Sequence, residues 1–161
     1  MASPVRVLFV CLGNICRSPT AHGLFRQQLE QAGLSGQVEV DSAGTGHWHL
    51  GKAPDPRTTA AARARGVDLG DLRARQVTAE DFHRFDYVLA MDRSNLLDLQ
   101  SLAPEGHKAH LGLFLDFASL GDVSEVPDPY YGGDQGFEQV LDLVEDAGLG
   151  LLAHLRQQHG L

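Results

Sequence analysis

The sequence of 161 residues predicts a single α/β domain with a four-stranded, mostly parallel sheet and helices on both faces. Short apolar, β-branched segments alternate along the chain with longer segments of helical periodicity, which is typical of βαβ units. A chain of this length can also bury a sizeable core without disulfides or metals. We therefore expect residues 1–161 to form one domain.

Four segments are predicted to be the strands of this sheet. The first, Val5–Val10, is an almost continuous apolar run, as expected for a strand that is buried on both faces. The others are Gln37–Asp41, Asp86–Met91 and Leu111–Leu115. Because parallel strands direct their carboxyl ends to one edge of the sheet, we expect the loops that follow these strands to meet there.

The predicted helices begin at residues that favour helix starts. At Ser18-Pro19, serine suits the cap position and proline suits the first helical position. Thr78 is a second predicted cap. In chain order the helices run from Ser18 to about Gly33, from Asp55-Pro56 to about Gly66, and over Thr78–Arg84, Ser94–Leu102 and Phe137–Gln158, with irregular loops over Thr45–Asp55 and Asp116–Gly136.

Charge and composition disfavour several classes of protein. A formal net charge of −8 is unfavourable for a protein that binds nucleic acid. The longest apolar run, Val7 to Leu12, is far shorter than the about 20 residues that cross a bilayer, and the start of the chain does not resemble a signal peptide. Two cysteines are too few for a secreted disulfide framework. We expect a reduced, cytoplasmic protein that is monomeric by default and does not insert into membranes.

The most informative segment is Cys11–Ser18, CLGNICRS, between the first strand and the first helix. Gly13 and Asn14 tolerate positive φ, so successive backbone N–H groups can converge on an anion. The start of the helix and Arg17 add positive charge, which also favours the thiolate form of Cys11. We therefore predict a phosphate-binding loop. The alternative, that Cys11 is a small buried residue at a strand end, does not explain the other residues of the loop.

This loop resembles the signature of the low-molecular-weight protein-tyrosine phosphatase family, Cys-x-Gly-Asn-x-Cys-Arg-Ser-Pro. The resemblance extends over nearly the whole chain, from about Val5 to Leu155. The further similar segments are Ser42-Ala43-Gly44-Thr45, Trp48-His49-x-Gly51-x-x-x-Asp55-x-Arg57, Arg75-Gln76, Met91-Asp92 and Asp128-Pro129-Tyr130-Tyr131-Gly132-Gly133.

The resemblance implies that the chain removes phosphate from phosphotyrosine in proteins, without a cofactor. Cys11 would be the nucleophile and would form a cysteinyl-phosphate intermediate. Arg17 and the backbone N–H groups from Leu12 to Arg17 would hold the phosphate oxygens. Asp128 would protonate the leaving phenolate and then activate water. The alternative for Asp128 is a surface turn, because Asp-Pro and Gly-Gly favour turns.

The remaining candidate residues surround this centre. Those expected to contact substrate are Leu12, Gly13, Asn14, Ile15, Cys16, Ser18, Trp48, Tyr130 and Tyr131. The resemblance also implies that Asn14 and Ser42 brace the loop from behind, and the Ser18 hydroxyl could donate to the Cys11 sulfur. Trp48 and the two tyrosines are expected to be walls for an aryl ring, and the alternative for Trp48 is partial burial in the core.

Two further features have competing interpretations. His47 and His49 flank Trp48, but two histidines without a third ligand do not predict a metal site. In the family, the residue that matches Cys16 can form a disulfide with the nucleophile, which implies reversible redox inactivation. The alternative is that Cys16 only fills space behind the loop.

Three other functions are considered. An arsenate reductase would need cysteines downstream of Cys16, and none exists. A phosphocysteine carrier of a sugar-transport system would hold its phosphate, whereas Arg17 and Asp128 suit turnover. A phosphotyrosine-binding module without turnover need not keep both the nucleophile and the acid, and this chain has both.

Overall fold

Four parallel strands form the centre of the fold. The structure, a computed structural model, describes residues 3–119, 123–130 and 133–161. The strands are β1 (Val5–Cys11), β2 (Val38–Gly44), β3 (Tyr87–Ala90) and β4 (His110–Leu113), and they pair in the order β2-β1-β3-β4. All three pairings are parallel, so the four carboxyl ends share one edge, as predicted.

Helices cover both faces of the sheet, which confirms the predicted fold class. They are α1 (Arg17–Gln31), α2 (Pro56–Ala64), α3 (Asp81–Arg84), α4 (Arg93–Leu102) and α5 (Asp134–His159), with a short 3-10 helix at Phe114–Phe117. None of the helices within the described ranges is both long and apolar enough to cross a membrane.

The residues of β1 alternate between two apolar cores. Val7 and Phe9 pack into the larger core, on the side of α1 and α5. Leu8 and Val10 pack into the smaller core, on the side of α3 and α4. This alternation follows from the two-residue period of a strand, and it buries every residue of β1 except Arg6.

The strand order places a crevice at the carboxyl end of β1. The chain leaves β1 through α1 to reach β2 on one side, and later enters β3 on the other side of β1. Successive connections therefore diverge beyond Cys11. This is the point of a doubly wound sheet at which ligands bind.

Two predicted helix starts are wrong in detail. Helix α1 begins at Arg17 with Cys16 as its cap residue, so Ser18 is not the cap. Pro19 fits in the first turn because N–H groups there have no helical partner. Thr78 does not cap α3 either, since its own N–H donates to the Asp81 carboxylate. The Ser18 hydroxyl bonds to Cys11 and Asn14 instead of capping the helix, and Thr78 donates to Asp81 instead of accepting from the helix. Helix-capping preferences do not predict either partner.

Two strand boundaries also differ from the prediction. Strand β2 continues past Asp41 to Gly44, so Ser42 lies within the strand. Strand β4 ends at Leu113, and Phe114 and Leu115 belong to the 3-10 helix instead. Both side chains pack into the larger core, and consecutive residues of a strand cannot point to the same face.

Candidate active site

The loop between β1 and α1 wraps around the sulfur of Cys11. Cys11 is the last residue of β1 and Arg17 is the first residue of α1. The Asn14 N–H donates to Cys11 Sγ at 3.3 Å, and Ser18 Oγ lies 3.0 Å from the same sulfur. Both groups can donate a hydrogen bond to the sulfur.

The loop's carbonyl groups point away from its centre. The carbonyl oxygens of Cys11, Leu12, Ile15 and Cys16 accept hydrogen bonds from the N–H groups of Thr45, Gly46, Asp55 and Thr20 respectively. In a trans peptide unit the N–H points opposite to the C=O. The N–H groups of the following residues, Leu12, Gly13, Cys16 and Arg17, are therefore directed towards the inside of the loop, where an anion would lie.

Asn14 and Ser18 brace the loop from behind. Asn14 Nδ2 donates to Ser18 Oγ at 2.8 Å, and the backbone N–H of Arg75 donates to Asn14 Oδ1 at 3.0 Å. Because Ser18 already accepts from Asn14, its own proton can go either to the Ala43 carbonyl, 3.3 Å away, or to the Cys11 sulfur. The hydroxyl can thus donate to the sulfur when the sulfur is negatively charged and to the Ala43 carbonyl when it is not.

Gly13 in the loop and Gly44 at the end of β2 leave space around the loop, and neither has the positive φ that was predicted for Gly13. Among the described residues, Asn14 is the one non-glycine residue with positive φ, at 56°, and Gly13 does not have positive φ. A Cβ at Gly13 would lie 2.9 Å from the His49 ring, and one at Gly44 would lie 2.7 Å from the Leu12 carbonyl oxygen. Both glycines therefore permit close approach to the loop. Sequence reasoning missed the role of Gly44.

Arg17 connects three separate segments at the carboxyl edge. Its Nη1 donates to Asp92 Oδ2 at 2.6 Å and to the Val126 carbonyl at 3.1 Å, and its Nη2 lies 3.6 Å from Asp128 Oδ2. Burial acts to lower the pKa of the guanidinium, but the negative groups at Cys11, Asp92 and Asp128 outweigh it and raise the pKa. Arg17 stays charged and in one place.

Asp92 has two roles in this arrangement. Its Oδ1 accepts the N–H of Asn95, which caps the start of α4, while its Oδ2 binds Arg17. The sequence placed Asp92 directly after a strand, at the edge where the predicted loops meet. Its role was missed because sequence alone does not show that β3 lies next to β1.

A cavity of about 370 Å³ opens over the loop. It is lined by Cys11, Leu12, Gly13, Ile15, Cys16, Arg17, Trp48, His49, Asp128 and Tyr130. Nine of these residues were candidates in the sequence, and His49 was not. Trp48 is 65 % exposed, so its predicted alternative of partial core burial is wrong.

The other candidate residues lie outside the cavity lining. Asn14 and Ser18 are buried behind the loop. The Ser42 hydroxyl pairs with His22 Nδ1 at 3.0 Å, and among the described residues it forms no hydrogen bond with the loop. Tyr131 lies outside the described residues.

Cys16 is buried in the same loop as Cys11. Burial raises the pKa of its thiol to about 12, and the charge of Asp55 acts in the same direction. Cys16 is therefore a neutral thiol at physiological pH, and neither it nor Cys11 is in a disulfide. Within the described part of the chain, no group of three or more His, Cys, Asp or Glu residues is arranged to hold a metal ion.

Comparisons with known proteins agree with this geometry. The family model for low molecular weight phosphotyrosine protein phosphatase matches residues 6–160. A low molecular weight protein-tyrosine-phosphatase of Streptomyces coelicolor is 50 % identical over 156 residues, which covers 95 % of this chain and 94 % of that protein.

Solved structures agree as well. A protein tyrosine phosphatase of Entamoeba histolytica has a TM-score of 0.92 at 39 % identity, over 96 % of this chain and 99 % of that one. A Drosophila arginine phosphatase has a TM-score of 0.88 at 30 % identity, over 93 % and 97 %. This chain therefore belongs to the low molecular weight phosphotyrosine protein phosphatase family.

Proposed function

We propose that the chain hydrolyses phosphotyrosine in proteins through a phosphocysteine intermediate. The observation that supports this most directly is that Cys11, Arg17 and Asp128 line one cavity, although Asp128 lies far along the chain from the other two. A nucleophile, a cation for the phosphoryl oxygens and an acid for the leaving group are the parts that this reaction needs.

In the first step the Cys11 thiolate attacks phosphorus in line with the phenolic oxygen. The S–P bond forms as the P–O bond breaks, and Asp128 gives its proton to the departing phenolate. The inward N–H groups of the loop and Arg17 bind the three equatorial oxygens, whose negative charge they offset. Arg17 suits this role because its planar fork can bind two oxygens at once.

In the second step water releases the phosphate. The Asp128 carboxylate takes a proton from water, whose oxygen attacks phosphorus while the S–P bond breaks. Inorganic phosphate leaves and Cys11 returns to the thiolate. Ser18 can donate its proton to that sulfur as the charge returns, because its hydroxyl lies 3.0 Å away.

The walls of the cavity favour an aryl phosphate. Leu12, Trp48 and Tyr130 line the entrance with apolar or aromatic groups, against which a phenyl ring can stack. The likeness to an arginine phosphatase supports phosphoarginine as a second candidate substrate. A guanidinium can also stack on such walls. We prefer phosphotyrosine because the matching family and the Streptomyces coelicolor relative are tyrosine phosphatases.

The experiment compares p-nitrophenyl phosphate, a phosphotyrosine peptide and a phosphoarginine peptide. We expect wild type to hydrolyse both aryl esters, Cys11→Ser to be inactive, and Asp128→Ala to lose more activity on phosphotyrosine than on p-nitrophenyl phosphate, whose leaving group is less basic. Activity in Cys11→Ser would overturn the mechanism. Faster hydrolysis of phosphoarginine than of phosphotyrosine would replace the substrate.

We further propose that Cys16 protects the nucleophile from irreversible oxidation. Peroxide would oxidise the Cys11 thiolate to a sulfenic acid, and the Cys16 thiol would then attack its sulfur, forming a disulfide and releasing water. Thiol reductants would reverse this. After peroxide treatment, dithiothreitol should restore wild type but not Cys16→Ser. Equal recovery of the two would leave Cys16 as a filler.

The need for a free Cys11 thiol also supports a reducing, cytoplasmic location. The proposed reaction implies phosphoproteins as partners. We propose that the chain acts as a monomer, because each of the groups used above comes from one copy. Light scattering at the concentrations used for kinetics tests this directly, and a dimer mass would contradict it.

A further inference from the structure

We propose that Arg57 is a positioning residue that holds Asp128 and Tyr130 in place over the phosphate loop. This inference rests on the proposed function, in which Asp128 is the general acid. Arg57 does not line the cavity, so it would act through the residues that it binds.

One side of Arg57 is anchored to the phosphate loop through Asp55. The Asp55 carboxylate accepts hydrogen bonds from Arg57 Nε at 3.1 Å and from Arg57 Nη2 at 3.0 Å. Asp55 is itself buried, and its backbone N–H donates to the Ile15 carbonyl at 2.8 Å. The position of the guanidinium is therefore set by the loop that surrounds Cys11.

The other side of Arg57 holds the segment that carries the acid. Arg57 Nη2 donates to the Tyr130 carbonyl at 2.9 Å, and its guanidinium carbon lies 5.6 Å from the centre of the Tyr130 ring. It also lies 4.8 Å from the centre of the Phe137 ring, at the start of α5. A planar cation can stack on rings and still donate in its plane.

Tyr130 passes this constraint to Asp128. Its backbone N–H donates to Asp128 Oδ1 at 3.0 Å, while its carbonyl is held by Arg57. The Asp128 side chain is 40 % exposed, so packing alone does not set its direction. Successive hydrogen bonds from Ile15 through Asp55, Arg57 and Tyr130 therefore fix the position of the Asp128 carboxylate relative to the loop that carries Cys11.

A positioning role predicts an effect that depends on the leaving group. An acid contributes more when the leaving oxygen is more basic, so a misplaced Asp128 should matter more for phenyl phosphate than for p-nitrophenyl phosphate. A general loss of structure would reduce the turnover of both esters by the same factor. Both esters form the same cysteinyl phosphate, so kcat/KM is the quantity to compare, because it reports the step in which the leaving oxygen departs. The ratio of the two kcat/KM losses therefore separates positioning from structural support.

The test compares Arg57→Gln and Arg57→Lys with wild type on these two esters. We expect kcat/KM on phenyl phosphate to fall on the order of tenfold or more in Arg57→Gln and by about threefold or less on p-nitrophenyl phosphate. Lysine keeps the charge but cannot bind Asp55 and Tyr130 through a fork, so Arg57→Lys should recover only part of the loss.

Arg65 provides the matched control. It also joins the α2 region to α5, through Glu138 at 2.6 Å and Asp142 at 2.9 Å, but among the described residues it forms no hydrogen bond or ion pair with the segment 123–130. Arg65→Gln should leave the ratio of the two kcat/KM values at the wild-type value. If Arg57→Gln does not fold, Asp55→Asn loosens the same clamp and should give the same selective loss.

A second test places Arg57→Gln in an Asp128→Ala background. If Arg57 acts through Asp128, it should add no further loss that is specific to phenyl phosphate. Equal losses on both esters in Arg57→Gln, or a selective loss that persists without Asp128, would overturn the inference. Failure of the proposed function would look different, because wild type would then hydrolyse neither ester or Asp128→Ala would show no dependence on the leaving group.

Discussion

Asn14 uses its backbone and both ends of its side chain in the phosphate loop. Its φ of 56° lies in the left-handed region, which asparagine tolerates better than most residues. Its N–H reaches Cys11, its amide nitrogen reaches Ser18, and its amide oxygen accepts from Arg75. Glycine could adopt the same backbone conformation but would lose both side-chain bonds, which explains why the loop has asparagine here.

His22 makes the stability of the protein sensitive to acid. It is buried in α1 with Nδ1 against the Ser42 hydroxyl. Burial lowers its pKa to about 4; the carboxylate of Asp41 opposes this shift and the cation of Arg26 adds to it. Below its ordinary pKa, the unfolded chain therefore binds a proton that the folded chain does not. Stability should fall as the pH drops from about 6.5 towards 4, by about 2 kcal/mol at pH 5.

The variant His22→Asn tests this. Asparagine cannot titrate and can keep a hydrogen bond to Ser42, so the drop in unfolding free energy between pH 7.5 and pH 5 should be about 2 kcal/mol smaller than in wild type. Urea unfolding at the two pH values measures it. His83→Asn, at an exposed site on α3, should behave like wild type. If both variants lose as much stability as wild type, His22 is not the group responsible.

At the scale of elements, the sequence predicted those that local rules determine. The apolar run of β1 indicates a strand, Gly13-Asn14 indicates a tight loop after it, and Ser18-Pro19 indicates the helix that follows. The ends of β2 and β4 could not be predicted in the same way. Gly44 continues β2 because the segment at Arg75–Val77 pairs with it, and the 3-10 helix follows β4 because Phe114 and Leu115 share one core.

The contacts that complete the site could not be predicted for a similar reason. Asp92, Arg57 and Arg75 are charged residues at ordinary positions, and their partners lie in other segments of the chain. Arg17 meets Asp92 only because β3 lies beside β1. Family resemblance marked the segments that contain these residues, but their partners require the packed structure.

Helix α4 offers a way to separate a capping role from an active-site role. In Asp92→Asn the side chain can still accept the Asn95 N–H, since asparagine caps helices about as well as aspartate. The charge beside Arg17 is lost, so the guanidinium is held less firmly. We expect kcat/KM for p-nitrophenyl phosphate to fall on the order of tenfold, and the urea midpoint to fall as well, because a buried guanidinium loses its charged partner.

Asp92→Ala is the companion variant. It removes the cap as well, so it should lower activity too and lower the free energy of unfolding by about 1 kcal/mol more than Asp92→Asn does. Equal stability losses in the two variants would show that asparagine does not preserve the cap. Unchanged kcat/KM in Asp92→Asn would show that Arg17 does not need this partner.

For the whole molecule, the fold brings the negative and positive parts of the site together within a strongly acidic protein. Arg17 is buried among Asp92, Asp128 and Cys11, so its field is directed into the cavity and is largely balanced outside it. The formal charge of the chain is −8. A phosphorylated substrate is therefore repelled at long range and attracted only after it enters the cavity.

Ionic strength should change peptide preference accordingly. The Debye length is about 30 Å at 0.01 M salt and about 8 Å at 0.15 M, so added salt removes the long-range repulsion but not the contacts within the cavity. We expect kcat/KM for a phosphotyrosine peptide with acidic flanking residues to rise several-fold over this range. A matched peptide with lysine at the same positions should show the opposite change.

The ratio of the two kcat/KM values is the quantity to measure. Salt anions that compete for the phosphate loop lower both rates equally, so the ratio reports only the charge of the flanking residues. It should move towards one as salt increases, from an initial preference for the basic peptide. A preference for the acidic peptide at low salt would mean that local positive charge at the cavity, rather than the net charge of −8, governs approach of the substrate.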